Sequence, residues 1–321
     1  MPPPAQLVYY PDSEPGIRRE RRGRGFSYVA PDGTRISRGE ERRRLDALAV
    51  PPAYENVWIT PRDNGHLLAT GYDARTRKQY RYHPQWSEAR SSVKYEMLPL
   101  FGHALPRIRR RITRDLAEEP GGERFALAAA LLLIDRLSLR VGNESYAKVN
   151  GSYGALTLRR KHLRLTTSGL NLNYVAKGGL KVRRRLTDRK VLKVLEMVRD
   201  LPGAEILTWI DDQGRPRKLS SGTLNEYLAE AGDGDFTAKT FRTWAGSLAA
   251  FEAAERGATT IRALSEAAAR RLANTPTIAR NAYIHPKVIG LTETGLPDPL
   301  EPVDLSGLAA AEKRLLGLLE R

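Results

Sequence analysis

The 321-residue chain contains no cysteine. It therefore has no disulfide framework, no thiolate zinc site and no cysteine nucleophile, and it suits a reducing compartment. Long apolar runs are also missing, since none reaches the roughly 18 residues that a membrane-spanning helix needs. The opening Met1-Pro-Pro-Pro-Ala5 lacks the basic and apolar regions of a secretion signal, so a soluble cytoplasmic protein is expected. Histidine is scarce. His66, His83, His103, His162 and His285 form no i,i+4 pair and adjoin no carboxylate motif, so no metal site is expected. There is no phosphate-binding loop, nucleophile elbow or kinase signature.

Negative charge is the scarcer sign. Asp and Glu number 37 against 53 Lys and Arg, for a net charge of +16. The excess is local: residues 151–190 hold eleven basic residues and one acid, Asp188. Clustered cations displace condensed counterions from a polyanion, which makes nucleic acid the first partner to consider. Hydrophobic residues make up 41% of the chain, enough to build a core and to exclude wholesale disorder.

Residues 1–25 show no apolar periodicity and read as an irregular segment, including Pro2-Pro3-Pro4 and the charged run Arg18-Arg-Glu-Arg-Arg22. Short alternating stretches then predict strands at Phe26–Tyr28, Val57–Ile59, Leu67–Gly71 and Gln79–Tyr82, with turns at Pro31-Asp-Gly33 and Asp63-Asn-Gly65. One helix is inserted at Arg38–Leu48. The remainder reads as mostly helical. Phe125–Leu139 is a core helix that ends at Arg140-Val-Gly142, with Gly142 as its C′ residue. Short strands follow at Ala155–Leu158, His162–Leu165, Leu170–Ala176 and Leu180–Leu186, the last two joined by a tight turn at Gly178-Gly179. Helices are predicted at Val191–Asp200, Leu224–Ala231, Ala238–Arg256, Ile261–Ala273, Thr275–Tyr283 and Leu305–Leu319. The expected class is α+β. A small β-rich N-terminal domain (1–90) precedes a mainly α C-terminal domain (91–321) with an inserted antiparallel sheet.

The residues with chemical potential are cations near tyrosines. Arg140 closes an apolar helix. Lys177 precedes the Gly178-Gly179 turn and so projects from a hairpin tip. Lys239 and Arg242 are i,i+3 and share one helix face. Asn274 opens a helix that ends at Tyr283. Each has an ordinary reading alone, as a polar helix tip, solvated lysine, solvated stripe, helix cap or half-buried core tyrosine.

Taken in order, Arg140-Val-Gly142, Lys177, Lys239-Thr-Phe-Arg242 and Asn274-Thr-Pro … Asn281-Ala-Tyr283 resemble the active site of type IB DNA topoisomerases, in their compact poxvirus-like and bacterial branch. Gly71-Tyr-Asp73 … Arg77-Lys-Gln79-Tyr80-Arg81-Tyr82 resembles that family's DNA-clamping segment. The resemblance implies a C-shaped clamp on double-stranded DNA and relaxation of positive and negative supercoils without ATP or metal; a nucleoid-associated protein is expected, and a monomer, since a clamp on one duplex needs no second subunit. It implies Tyr283 as nucleophile forming a 3′-phosphotyrosyl link. Arg140 and Arg242 would clamp the phosphate, Lys177 would be the general acid and Lys239 its neighbour. Most members carry His where Asn274 stands. An asparagine amide can donate to a phosphate oxygen as a neutral imidazole does, but it cannot titrate. DNA contacts are implied for Arg77, Gln79, Tyr80 and Tyr82 on one side, and for Arg183, Arg184 and Arg185 on the other. The alternatives are a site-specific tyrosine recombinase, which usually carries His-x-x-Arg rather than Lys239-Thr-Phe-Arg242, and a non-catalytic basic DNA-binding protein.

Overall fold

The charged run Arg18–Arg22 is a strand rather than an irregular segment. In the computed structural model, which describes residues 6–166 and 169–321, it belongs to β1 (Ile17–Arg22). Pro2-Pro3-Pro4 lie outside the described residues. β1 pairs antiparallel with β2 (Gly25–Val29) along its length, and through Ile17 and Arg18 with β3 (Glu55–Ile59). Arg19 explains how so polar a strand is tolerated. Its guanidinium lies 4.2 Å over the Phe26 ring and donates to the carbonyls of Val50, Pro51 and Tyr54 at 2.7, 2.9 and 2.9 Å. With β4 (Leu67–Tyr72) and β5 (Lys78–Tyr82) the antiparallel sheet runs β2-β1-β3-β4-β5. Helix α1 (Glu40–Ala47) contributes Leu45 to a small core with Ile17, Tyr28, Val57, Ile59 and Ala69.

A long helix follows, α2 (Pro84–Asp115). The chain divides into two compact units inside it, one up to Val93 and one from Lys94. The second part of α2 buries Leu98, Phe101, Leu105, Ile108 and Ile112, an alternating three-and-four spacing that puts one stripe into the core. Next comes α3 (Glu123–Leu137), in which every residue from Phe125 to Ile134 is buried. A helix apolar all round belongs at the centre of a domain, and α3 packs against later helices and a strand. It stops three residues before Arg140: Ser138 takes the left-handed conformation (φ 52°, ψ 36°) that ends the helix. Gly142 is thus not its C′ residue.

The C-terminal unit continues with α4 (Glu144–Asn150) and the sheet β6 (Leu163–Thr166), β7 (Gly169–Val175) and β8 (Lys181–Leu186), antiparallel in that order. Ala155–Leu158, expected as a strand, instead contains a buried 3₁₀ turn at Ala155–Thr157. Helix α5 (Arg189–Met197) and the ribbon β9 (Thr208–Ile210) with β10 (Pro216–Lys218) precede six further helices. These are α6 (Ser221–Gly232), α7 (Ala238–Glu255), α8 (Ile261–Leu272), α9 (Pro276–Tyr283), α10 (Pro286–Thr294) and α11 (Ala310–Glu320). No described helix is long and apolar enough to cross a membrane.

The terminal helix α11 docks through a buried carboxylate. Glu312 accepts from Arg109 at 2.8 and 2.9 Å and from the Trp244 indole at 3.2 Å. Arg109 also holds Asp135 at 2.9 and 3.0 Å. Burial pushes the Glu312 carboxyl up, but Arg109 outweighs it and the group sits below its ordinary value. Glu312→Leu leaves Arg109 with Asp135 alone and strands the buried Trp244 indole N–H. A buried donor left without its acceptor costs about 1–3 kcal/mol, to be read from urea denaturation at pH 7. Because the native carboxyl is depressed, the contribution is full at neutral pH and is lost as pH falls through the carboxylate range. An unchanged denaturation midpoint would show that the network is dispensable.

Candidate active site

After α3 the segment Leu139–Gly142 lies against the turn at 154–156. Ala155 N–H donates to Arg140 O and Leu156 N–H to Val141 O, both at 2.8 Å. The approach is too close for side chains. A Cβ on Gly154 would fall 2.4 Å from Arg140 O and 2.5 Å from Gly142 N, and Gly142 itself has φ +92°. Two glycines therefore fix where Arg140 starts. Its half-buried guanidinium donates to Asn274 Oδ1 and, at 3.4 Å, to Ala273 O.

Arg242 projects from the first turns of α7 into the interior and is only 3% exposed. It donates to Ser138 O and, at 3.0 Å, to Leu272 O. Both arginines thus aim at carbonyls at the C-terminal end of α8. That end carries the negative pole of the helix dipole, which offsets the cost of holding two like charges together. The cost is still visible: burial, and after it Arg140, pull the Arg242 guanidinium below its ordinary value. Ala273 turns left-handed (φ 49°) and Asn274 N–H closes onto Ala269 O at 3.0 Å, which swings the Asn274 side chain back to Arg140. Arg242 Nε and Asn274 Nδ2 are buried and have no hydrogen-bond partner among the described residues.

Tyr283 is the last residue of α9. The Arg242 guanidinium lies 5.1 Å from the centroid of its ring. The approach depends on Gly246, one turn after Arg242 on α7. A Cβ there would lie 2.6 Å from Tyr283 O and 3.1 Å from Tyr283 Cβ. Sequence reasoning missed Gly246. Its signal was a glycine inside an otherwise Ala-rich helix, where glycine is unfavourable unless a neighbour needs the space.

The structure therefore brings Arg140, Arg242, Asn274 and Tyr283 together. Lys177 is placed differently. It is exposed at the β7–β8 tip, where Gly179 N–H donates to Ala176 O at 3.1 Å and Gly178 has φ +83°. Its ammonium lies 5.8 Å from the ring of Tyr146 on α4. Lys239 is exposed one turn before Arg242. On β8, Arg183 and Arg185 are exposed, whereas strand alternation turns Arg184 the other way. Arg184 donates to Leu137 O at 2.5 Å and to Arg271 O at 2.6 Å. Arg184 thus ties β8 to the ends of α3 and α8.

In the N-terminal unit, Tyr80 and Tyr82 project from one face of β5. They are 51% and 42% exposed and stack with centroids 6.1 Å apart and planes 8° apart. Arg77 and Gln79 are tied to Asp73, through contacts of 2.8 Å from Arg77 Nε and 3.0 Å from Gln79 Nε2. The Arg77 contact holds the Asp73 carboxyl down at about 2. Asp73 also accepts two backbone N–H groups of the β4–β5 turn, so it organises the hairpin that presents the tyrosines.

Residues 83–279 match the family described as the catalytic core of eukaryotic DNA topoisomerase I, and residues 25–73 match the N-terminal domain of bacterial DNA topoisomerase IB. The chain belongs to the type IB DNA topoisomerase family. It is thus a DNA topoisomerase, an isomerase whose partner is DNA. The chain is 28% identical over 270 residues to DNA topoisomerase 1B of Acanthamoeba polyphaga mimivirus, covering 83% of this chain and 78% of that one. Against DNA topoisomerase 1B of Vaccinia virus (strain Copenhagen) it is 24% identical over 124 residues, 39% of either chain. Against the mitochondrial DNA topoisomerase I of Rattus norvegicus it is 28% identical over 167 residues, 48% of this chain and 26% of that one. The catalytic-core match takes in Arg140, Lys177, Lys239, Arg242 and Asn274 and stops four residues short of Tyr283.

Proposed function

We propose that this topoisomerase relaxes positively and negatively supercoiled DNA by transient cleavage of one strand, with Tyr283 as nucleophile. The observation that carries this reading is the set of unmet donors beside Tyr283. Two guanidiniums are gathered there with the buried Asn274 Nδ2 and Arg242 Nε, which have no partner among the described residues, and an anion with several acceptor oxygens would satisfy them. A phosphodiester is such an anion, and negative charge on its non-bridging oxygens grows in the transition state.

The phenol oxygen attacks phosphorus and gives up its proton to solvent water. The bond from phosphorus to the 5′ oxygen breaks, leaving a 3′-phosphotyrosyl link and, once protonated, a free 5′ hydroxyl. The covalent link conserves the bond energy that hydrolysis would lose. The free end swivels under the torque of the supercoil, so strain rather than ATP drives relaxation. Religation is the reverse: the 5′ hydroxyl attacks phosphorus and the phenolate departs. The guanidiniums supply the charge stabilisation, so the mechanism calls for no metal. Nothing in it needs a second subunit. Tyr80, Tyr82, Arg183 and Arg185 are proposed to contact the duplex, the stacked tyrosines offering flat apolar faces and the arginines their charge.

The test is relaxation of plasmids of either supercoil sign by purified protein in EDTA without ATP, with the adduct trapped by denaturant and its peptide mapped. Relaxation with the adduct on Tyr283 is expected. Tight, salt-sensitive binding with no adduct would leave only a binding protein.

Lys177 is assigned the proton delivered to the 5′ oxygen, because it stands on an exposed tip able to reach a bound strand. General acids contribute about 10²–10⁴-fold. Lys177→Ala is therefore expected to slow cleavage by that order on ordinary DNA, and far less on a substrate whose 5′ oxygen is replaced by sulfur, which leaves without a proton. Equal slowing on both substrates would remove Lys177 from the role.

A further inference from the structure

What holds the last turn of α9 also holds the reacting oxygen. The final carbonyls of a helix have no partner within it. At α9 two of them are taken up from outside. Tyr283 O accepts from Ser247 Oγ at 3.4 Å, and Ser247 Oγ in turn accepts from His285 N–H at 2.9 Å. Ala282 O accepts from Lys94 Nζ at 3.1 Å, across 188 positions of sequence.

Lys94 is not a solvated surface lysine. Its ammonium lies 3.9 Å from the centroid of the Tyr95 ring, and Tyr95 stands edge-on to the buried His285, 5.2 Å away at 72°. Burial, and after it Lys239 on α7, bring the ammonium down to about 8, so at neutral pH it still carries its charge. A cation held at the carbonyl end of a helix is favoured by the dipole, and here the helix ends on Tyr283.

We propose that Lys94 is a positioning residue for the nucleophile, capping the carbonyl end of α9 through Ala282 and so fixing the direction in which the Tyr283 side chain leaves the helix. It acts through backbone and touches no reacting atom. The proposal rests on Tyr283 being the nucleophile. Small displacements of a reacting group are costly: about 1 Å of misplacement can lower a rate about 100-fold.

Full-length Lys94→Met and Lys94→Arg are compared with the wild type and with Tyr283→Phe. Adduct formation is followed in single turnover with saturating enzyme, and duplex affinity is measured separately. Lys94→Met should form the Tyr283 adduct about 10- to 100-fold more slowly, with affinity within about twofold of wild type. Lys94→Arg, which keeps a charged donor, should recover most of the loss. If the Met variant does not fold, Lys94→Gln, which retains a neutral donor, should show an intermediate loss. A variant lacking the charge that cleaves as fast as wild type overturns the proposal. So does a loss confined to affinity, which would make Lys94 a phosphate contact, or an Arg variant no faster than Met. Absence of any wild-type adduct on Tyr283 fells the nucleophile assignment, and this proposal with it, and is distinguishable because it appears before any Lys94 variant is made.

Discussion

Tyr283→Phe is expected to hold duplex DNA as the wild type does, within about twofold, and to form no covalent adduct. Relaxation should fall by at least ~10⁴-fold, the scale on which enzymes lose rate when a nucleophile that works as part of a unit is deleted. The substitution removes one oxygen, which faces the Arg242 guanidinium. The ring remains to pack beside the Arg242 guanidinium, 5.1 Å from its centroid, and the backbone clamp at Ser247 and Gly246 involves only Tyr283 main chain and Cβ. Melting temperature should therefore barely move. Plasmid relaxation and a denaturing gel for adducts give the answer together. Residual relaxation with an adduct at another residue would displace Tyr283.

Arg242→Lys is the second large effect. Lysine keeps the charge but offers one donor centre, and it cannot span Ser138 O and Leu272 O as the arginine does. Nor can it present a second N–H to a non-bridging oxygen. Losing a donor to a developing oxyanion lowers rates about 10²–10³-fold, and single-turnover cleavage should fall by that order. Stability should fall as well, because a buried carbonyl left without its donor costs about 1–3 kcal/mol. The two readouts separate the roles. Cleavage measured well below the melting temperature reports the clamp, and urea denaturation reports the strut. Near-normal cleavage by a destabilised protein would leave Arg242 as a strut alone.

Much of this arrangement was legible in the chain because its carriers are local. Thr275-Pro276 announces the start of α9, the Gly178-Gly179 pair announces the tip that carries Lys177, and the apolar run from Phe125 announces a central helix. What stayed hidden depended on partners distant in sequence. β1 is a strand because Arg19 finds three carbonyls and an aromatic face, none of them visible in an Arg-rich hexapeptide. Arg140 looked like the tip of a helix because nothing local shows that Ser138 turns left-handed. The demand for glycine at 142 and 154 exists only where the two segments cross. Arg183-Arg-Arg185 looked like a uniform cationic run until pairing with β7 set its alternation. Lys94 carried no signal, because its partner lies near the other end of the chain.

The arginines that bind backbone carbonyls change what the composition means. Arg19, Arg160 and Arg184 each fasten two or more main-chain oxygens of neighbouring segments. Such residues act as rivets. Their positive charge counts toward the chain's +16, yet their donors are engaged on backbone oxygens. A polyelectrolyte grips DNA only through those cations that reach phosphates and release the ions condensed there. The grip of this enzyme on its duplex is therefore set by a smaller population of lysines and outward arginines than its formal charge suggests, and its ionic-strength sensitivity belongs to that population alone.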